Sequence, residues 1–313
     1  MKYAKKSVRY KSVLCLALCL FLAGCSTGDA DSMDVPKSLE SEADAQETQE
    51  YSDSQEEEIL QPATEPAPRE LYYITSSQTQ DTAELTAFID RIQTDGYNWH
   101  EIAVSELPAD AGAVILNSPQ EDLSAEDFTI LEEYMNTGGR IFVLLPASES
   151  ETRYKYLDRL LEEFYIRFDY NLITDEAHAL EDDYIQMQAI NYPDRFLFAD
   201  ESMENGIVYM RNARSFHHLP QGENTVYDAM LQTFDTASGL PYGGVEDDPE
   251  IYESEKMDVM IFCREEIKKN ACVVVMGSSD FLLDENYEDH YAKPAQNWAY
   301  SAIDWLYNYS RNF

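Results

Sequence analysis

The residues best placed to do chemistry stand where apolar runs stop. Gly277-Ser278-Ser279-Asp280-Phe281 follows the run Ala271–Met276, and Asn117-Ser118-Pro119 follows Ala113–Leu116. Hydroxyls, an amide and a carboxylate at such places can hydrogen-bond a polar ligand, because open α/β sheets bind ligands beyond the carboxyl ends of their strands. The competing use is structural: Ser and Asp cap the following turn while Phe281 fills core. Covalent catalysis asks for more, namely a nucleophile on a tight strand-to-helix turn with a histidine to activate it. The strand ends, Pro146-Ala147-Ser148 included, hold neither a cysteine nor a Gly-x-Ser-x-Gly elbow, and Cys272 opens a strand where a nucleophile would have to end one. No catalytic residue is expected.

Metal chemistry finds equally little support. His217 and His218 are adjacent, so in a strand their rings point to opposite faces and cannot share an ion. Glu246-Asp247-Asp248 and Glu288-Asp289-His290 lack the ordered acidic spacing of a calcium loop and read as solvated loop charges. Neither a metal nor a cofactor is expected. Tyr154, Tyr156, Tyr165 and Tyr170 lie close together in a chain with 22 tyrosines; they fit either a binding surface or the periphery of a sheet.

One cysteine has a definite chemistry. Lys2, Lys5, Lys6, Arg9 and Lys11 open the chain with no acid among them, and an apolar run of 11 residues follows, Val13 to Ala23. That run is too short to span a bilayer, which takes roughly 18–20 residues, and suits the core of a signal peptide. It ends in Leu22-Ala23-Gly24-Cys25-Ser26, where small residues let a peptidase accept the extended chain and the Cys25 thiol is the acyl acceptor. This segment resembles the lipobox of bacterial lipoproteins. It implies a signal peptide over 1–24, lipidation (palmitate) at Cys25, and a protein held by lipid on the extracytoplasmic face of the cell membrane.

The rest of the composition narrows the partners. There are 60 acidic residues against 22 Lys and Arg, a formal net charge of −38 that deepens once the basic start is removed. Such a chain repels nucleic-acid phosphates and anionic head groups, so nucleic acid is excluded as a partner. Residues 25–69 are rich in Ser, Glu, Asp, Gln, Ala and Pro, and they include Glu56-Glu57-Glu58. They cannot bury enough apolar surface to offset their ordering entropy and read as an extended acidic linker. Cys263 and Cys272 remain in the folded part; both lie in apolar stretches, open to a disulfide or to two buried thiols.

Periodicity then outlines one domain over 70–313. Leu71–Ile74, His100–Val104, Ala113–Leu116 and Arg140–Pro146 read as strands, the third apolar throughout, as a strand covered on both faces should be. Leu85, Phe88, Ile89 and Ile92 recur at helical spacing up to Asp95-Gly96. Ser124 is placed to cap a helix burying Phe128, Leu131, Tyr134 and Met135, which Gly138-Gly139 stops. A helix around Tyr156–Phe164 continues the alternation, which implies parallel strands joined by crossovers. From about 169 to 269 the rhythm weakens and reads as a large α+β elaboration. Within it, Asp200–Arg214 and Asn224–Phe234 are strands or a strand and a helix, and Met257–Arg264 is a strand. Ala271–Met276 and a helix near Ala295–Tyr309, burying Trp298, Ala302, Trp305 and Leu306, close the fold.

Two blocks carry a wider resemblance. Ala113-Val114-Ile115-Leu116-Asn117-Ser118-Pro119 through Leu123-Ser124, Leu131–Met135, Gly138-Gly139-Arg140 and Val143–Pro146 form one. Val273–Phe281 with Asn297 and Ala302-Ile303-Asp304-Trp305-Leu306 form the other. Together they resemble the extracytoplasmic domain of gliding-motility-type auxiliary proteins of ABC transport systems. The resemblance implies a flavodoxin-like, mostly parallel sheet flanked by helices, related in shape to class I glutamine amidotransferases and non-catalytic. It also implies a protein partner, an ABC permease or ATPase or another envelope protein. The alternatives are a lipid-anchored solute receptor and an envelope hydrolase.

Overall fold

In the computed structural model, the first four strands and the helices between them repeat the βα alternation. β1 (Arg69–Ile74), α1 (Thr86–Thr94), β2 (Tyr97–Ile102), β3 (Ala113–Asn117), α2 (Ala125–Asn136), β4 (Arg140–Leu144) and α3 (Lys155–Glu162) follow in order. The structure describes residues 69–148, 153–190, 206–220, 222, 224–242 and 255–308. All lie in the unit Ala63–Phe313. The signal peptide, Cys25, the linker up to residue 68 and Glu246-Asp247-Asp248 lie outside the described residues. Arg69, the last residue assigned to the linker, is the first of β1.

Local chemistry sets the boundaries. Ser124 is extended and its hydroxyl accepts the Asp127 N–H at 3.0 Å, starting α2 as its sequence requires. Gly138 ends α2 at φ +97°, a left-handed geometry that costs glycine no Cβ clash. β2 differs from expectation: it begins at Tyr97 and stops at Ile102, and Val104–Glu106 turns as a 3-10 segment with Val104 buried. The valine packs into the core from a turn and not from a strand.

The second half is built almost entirely of strands. β5 (Ile166–Phe168), β6 (Asn171–Thr174), β7 (Ile185–Ala189), β8 (Ile207–Met210), β9 (Phe216–His218), β10 (Thr225–Gln232), β11 (Ser238–Pro241), β12 (Asp258–Glu265) and β13 (Ala271–Met276) precede α4 (Ala292–Asn308). One sheet has the order β2-β1-β3-β4-β13-β12-β10-β7-β8, with β9 on β12 and β5 on β9; β6 and β11 form a separate pair. The five strands from β2 to β13 run parallel, and every pairing beyond β13 is antiparallel. The sheet is therefore not mostly parallel. Apart from β6 and β11, the strands of the second half extend the sheet beyond β13, and antiparallel pairs tolerate short connections that parallel crossovers do not. The stretch 224–234 holds the strand Thr225–Gln232 and no helix.

Each face of the parallel half is covered. Leu71, Tyr73, Ile115, Phe142, Val274 and Met276 face Phe88 and Ile92 of α1 and Trp298, Ala302, Ile303 and Leu306 of α4. Val114, Leu116, Ile141, Val143, Val273 and Val275 face Phe128, Leu131 and Met135 of α2 and Leu157, Leu160 and Leu161 of α3. Burial on both faces explains the unbroken apolar runs of β3 and β13. Trp305 is only half-buried, its ring edge-on to Phe262. Cys272 belongs to the first face and Cys263 to the second, so the sheet itself separates the two free thiols. No described helix is long and apolar enough to cross a membrane.

Candidate functional site

The parallel register brings the ends of β3 and β13 to the same edge on either side of β4. There the Ser118 and Ser279 hydroxyls meet at 2.7 Å, and Ser118 Oγ donates to Asn117 Oδ1 at 3.0 Å. Asn117, Ser118, Ser278 and Ser279 are all buried. Ser118 has φ +49°, and across the edge Ser77 and Gln78 have φ +62° and +49°. Three non-glycine residues in left-handed geometry at one strand edge store backbone strain. Hydrogen bonds hold it: Gln80 N donates to Asn117 O at 3.0 Å, and Gln120 N to Ser77 O at 3.1 Å.

What covers β4 and β13 is a strap, Arg211 to Ser215, between β8 and β9. Ser278 Oγ donates to Arg211 O at 2.7 Å and Ala147 N to Asn212 O at 2.7 Å. Arg214 N donates to Gly277 O at 3.0 Å, and its guanidinium donates to Pro146 O at 2.7 Å while lying over Phe168. The Asn212 amide donates to Asp280 Oδ2 at 2.5 Å. Burial holds the Asp280 carboxyl above its ordinary range, against the opposing pull of the Asn212 amide and the Arg211 charge. Nothing in the strap's sequence announces this role. The one available signal was Gly277, a glycine directly after an apolar strand with no turn φ to justify it.

The other sequence candidates are dispersed. His217 pairs through Nδ1 with Asp169 at 3.1 Å, and Asp169 also accepts the Ser215 hydroxyl at 2.5 Å. The exposed His218 lies against Tyr227, ring centroids 3.9 Å apart and tilted by 33°, on the other side of the strand. Asp289 accepts the Tyr184 hydroxyl at 3.0 Å. Tyr154 and Tyr170 are buried, the Tyr170 hydroxyl taking the Tyr154 N–H at 2.7 Å, while Tyr156 and Tyr165 are half-buried. No group of three His, Cys, Asp or Glu among the described residues is arranged to hold a metal. A cavity of about 130 Å³ opens at the opposite end of the sheet, between Arg69, Ile92, Asp95, Tyr97, Tyr300 and Asp304. There Arg69 is bound to Asp304 at 3.1 Å and lies over Tyr97.

No family model matches the chain. No curated protein matches it. Among solved structures it is similar to the mmIFT52 N-terminal domain, with 13% identity and a TM-score of 0.54 over 78% of this chain and 98% of that one. It is also similar to a ThuA-like protein from Bacteroides uniformis, with 15% identity and a TM-score of 0.46 over 79% and 95%. The alpha-L-fucosidase isoenzyme 2 of Paenibacillus thiaminolyticus gives 10% identity and a TM-score of 0.45, covering 77% of this chain and 33% of that one. The first of these likenesses is one of fold alone, a mixed α/β domain.

Proposed function

We propose that this chain is a lipid-anchored extracytoplasmic lipoprotein, attached through Cys25, whose α/β domain is a non-catalytic auxiliary or scaffold subunit of an ABC-type transport or envelope system. The domain is read as flavodoxin-like because β2-β1-β3-β4-β13 repeats the order 2-1-3-4-5 of that fold, with β13 in fifth place. The observation that carries the scaffold reading is the state of the carboxyl edge. Ser118, Ser278 and Ser279, the hydroxyls that would meet a substrate, are buried and bonded to one another or to the strap. A nucleophile bonded in this way, without a base beside it, favours a structural role over a catalytic one.

The test is a crosslinking pull-down from native membranes with the anchored protein as bait and a Cys25→Ala form as control. Recovery of a permease or ATPase only with the anchored form is the expected result. Recovery of neither from membranes where the protein is abundant sinks the auxiliary role. The second reading, a lipid-anchored solute receptor, draws on one arginine at the same edge.

A further inference from the structure

Arg211 directly follows β8 and begins the strap, so the main chain fixes it beside the Gly277–Asp280 turn. Its guanidinium lies over the Tyr184 ring, 4.7 Å from the centroid. Its Nε is buried and donates to nothing among the described residues. In a chain with 60 acids to 22 Lys and Arg, carboxylates are plentiful around its arginines. Arg69, Arg91, Arg159 and Arg264 each have one, Asp304, Asp95, Glu132 and Glu266 respectively. Arg211 makes no ion pair within 4 Å among the described residues; its charge acts on the neighbouring Asp280, whose carboxylate takes its hydrogen bond from the Asn212 amide. Arg211 as a whole is half-buried, but a buried Nε without an acceptor is costly, and such a donor calls for an occupant.

From this arrangement we propose that Arg211 anchors the carboxylate of a small ring-shaped ligand at the carboxyl edge of the sheet. A guanidinium presents paired donors that match a carboxylate's two oxygens. Phosphate has the same donor requirement, but the surroundings select the smaller charge: Asp280 and Asp289 stand close by, and a dianion meets more repulsion from them than a monoanion. The ring-shaped body follows from the half-buried Tyr291, whose ring centroid lies 5.1 Å from that of the half-buried Tyr209 and 5.4 Å from that of Tyr184, so that apolar rings stand beside the charge. This goes beyond the scaffold reading and does not depend on it.

The experiment is isothermal titration of the full chain in detergent with D-glucuronate, with D-glucose and inorganic phosphate as comparison arms. Glucuronate should bind saturably, glucose should not, and phosphate should bind at least tenfold more weakly. Arg211→Met should weaken glucuronate at least tenfold. Arg211→Lys, which keeps the charge and loses the fork, should fall between. Arg140→Met is the control, since Arg140 also has a buried Nε without a partner among the described residues but stands at the amino end of β4; it should leave binding unchanged. Circular dichroism establishes that each variant is folded. Absence of glucuronate binding to the parent, or equal affinity in folded Arg211→Met, overturns the site. Tighter binding of phosphate overturns the carboxylate assignment. The pull-down with the Cys25→Ala control reads the scaffold role separately.

Discussion

The carbonyl oxygen of Arg214 lies 2.1 Å from the point where a Cβ on Gly277 would stand. Closure of the sheet's carboxyl edge therefore depends on the absence of a single methyl group. Gly277→Ala should destabilise the protein by about 1–3 kcal/mol, the usual range for overpacking a tight contact. Equilibrium denaturation in urea measures this, and an unchanged midpoint would mean that the strap does not sit against β13.

Asp122 joins the loop after β3 to the start of α3. Its carboxylate accepts the backbone N–H groups of Lys155, Tyr156 and Leu157 at 2.8, 2.9 and 3.1 Å. These are donors the helix cannot satisfy itself, and the charge also suits its N-terminus. Asp122→Ala should cost about 1–2 kcal/mol and Asp122→Asn less. Thermal unfolding of the two variants, side by side, separates capping from charge.

Asp158 on α3 makes stability depend on pH. Burial pushes its carboxyl up to about 6, against the hydrogen bond from Tyr170 that pulls it down. The folded state therefore favours the protonated acid more than the unfolded chain does. The stabilisation is complete below about pH 4 and is lost as the pH rises through about 6. Asp158→Asn stays neutral throughout, so it should exceed the parent at pH 8 by about 1 kcal/mol, a figure already reduced for solvent screening, and match it at pH 4. Urea denaturation at the two pH values checks this, and a gain that is equal at both would remove the titration from the explanation.

Cys263 and Cys272 should stay reduced even in an oxidising compartment. They occupy opposite faces of the sheet, and burial raises both thiols, that of Cys272 to about 12. Without thiolate neither attacks a disulfide or an oxidant readily. Peptide mapping by mass spectrometry after air oxidation should recover both as free cysteine.

The parallel half was readable because its strands are buried on both faces and its helices carry their own punctuation. The Ser124 cap, the Gly138 stop and the unbroken runs of β3 and β13 are local facts, visible without the fold. β5 to β11 carry no such marks. All but β10 are short, their residues alternate between buried and partly exposed, and partners lie far off in sequence: Thr225 faces Glu265, and Ile166 faces His218. The candidate edge divides in the same way. Asn117, Ser118, Ser278 and Ser279 stand out as polar residues ending apolar runs, and they meet across β4. The strap over them comes from a stretch with no motif, and Arg211 has meaning only through the turn, Gly277 to Asp280, that the fold sets beside it.

β13 stands fifth of nine on the sheet path, between β4 and β12, yet it is the last strand to be synthesised. A chain emerging from a ribosome therefore holds more than a dozen elements before it gains the one that joins its two halves. Until residue 276 is free, β4 and β12 both present open edges, the kind of surface that recruits chaperones and seeds aggregation. Completion of this sheet is thus a late event, set by the position of β13 in the chain and not by its position in the sheet.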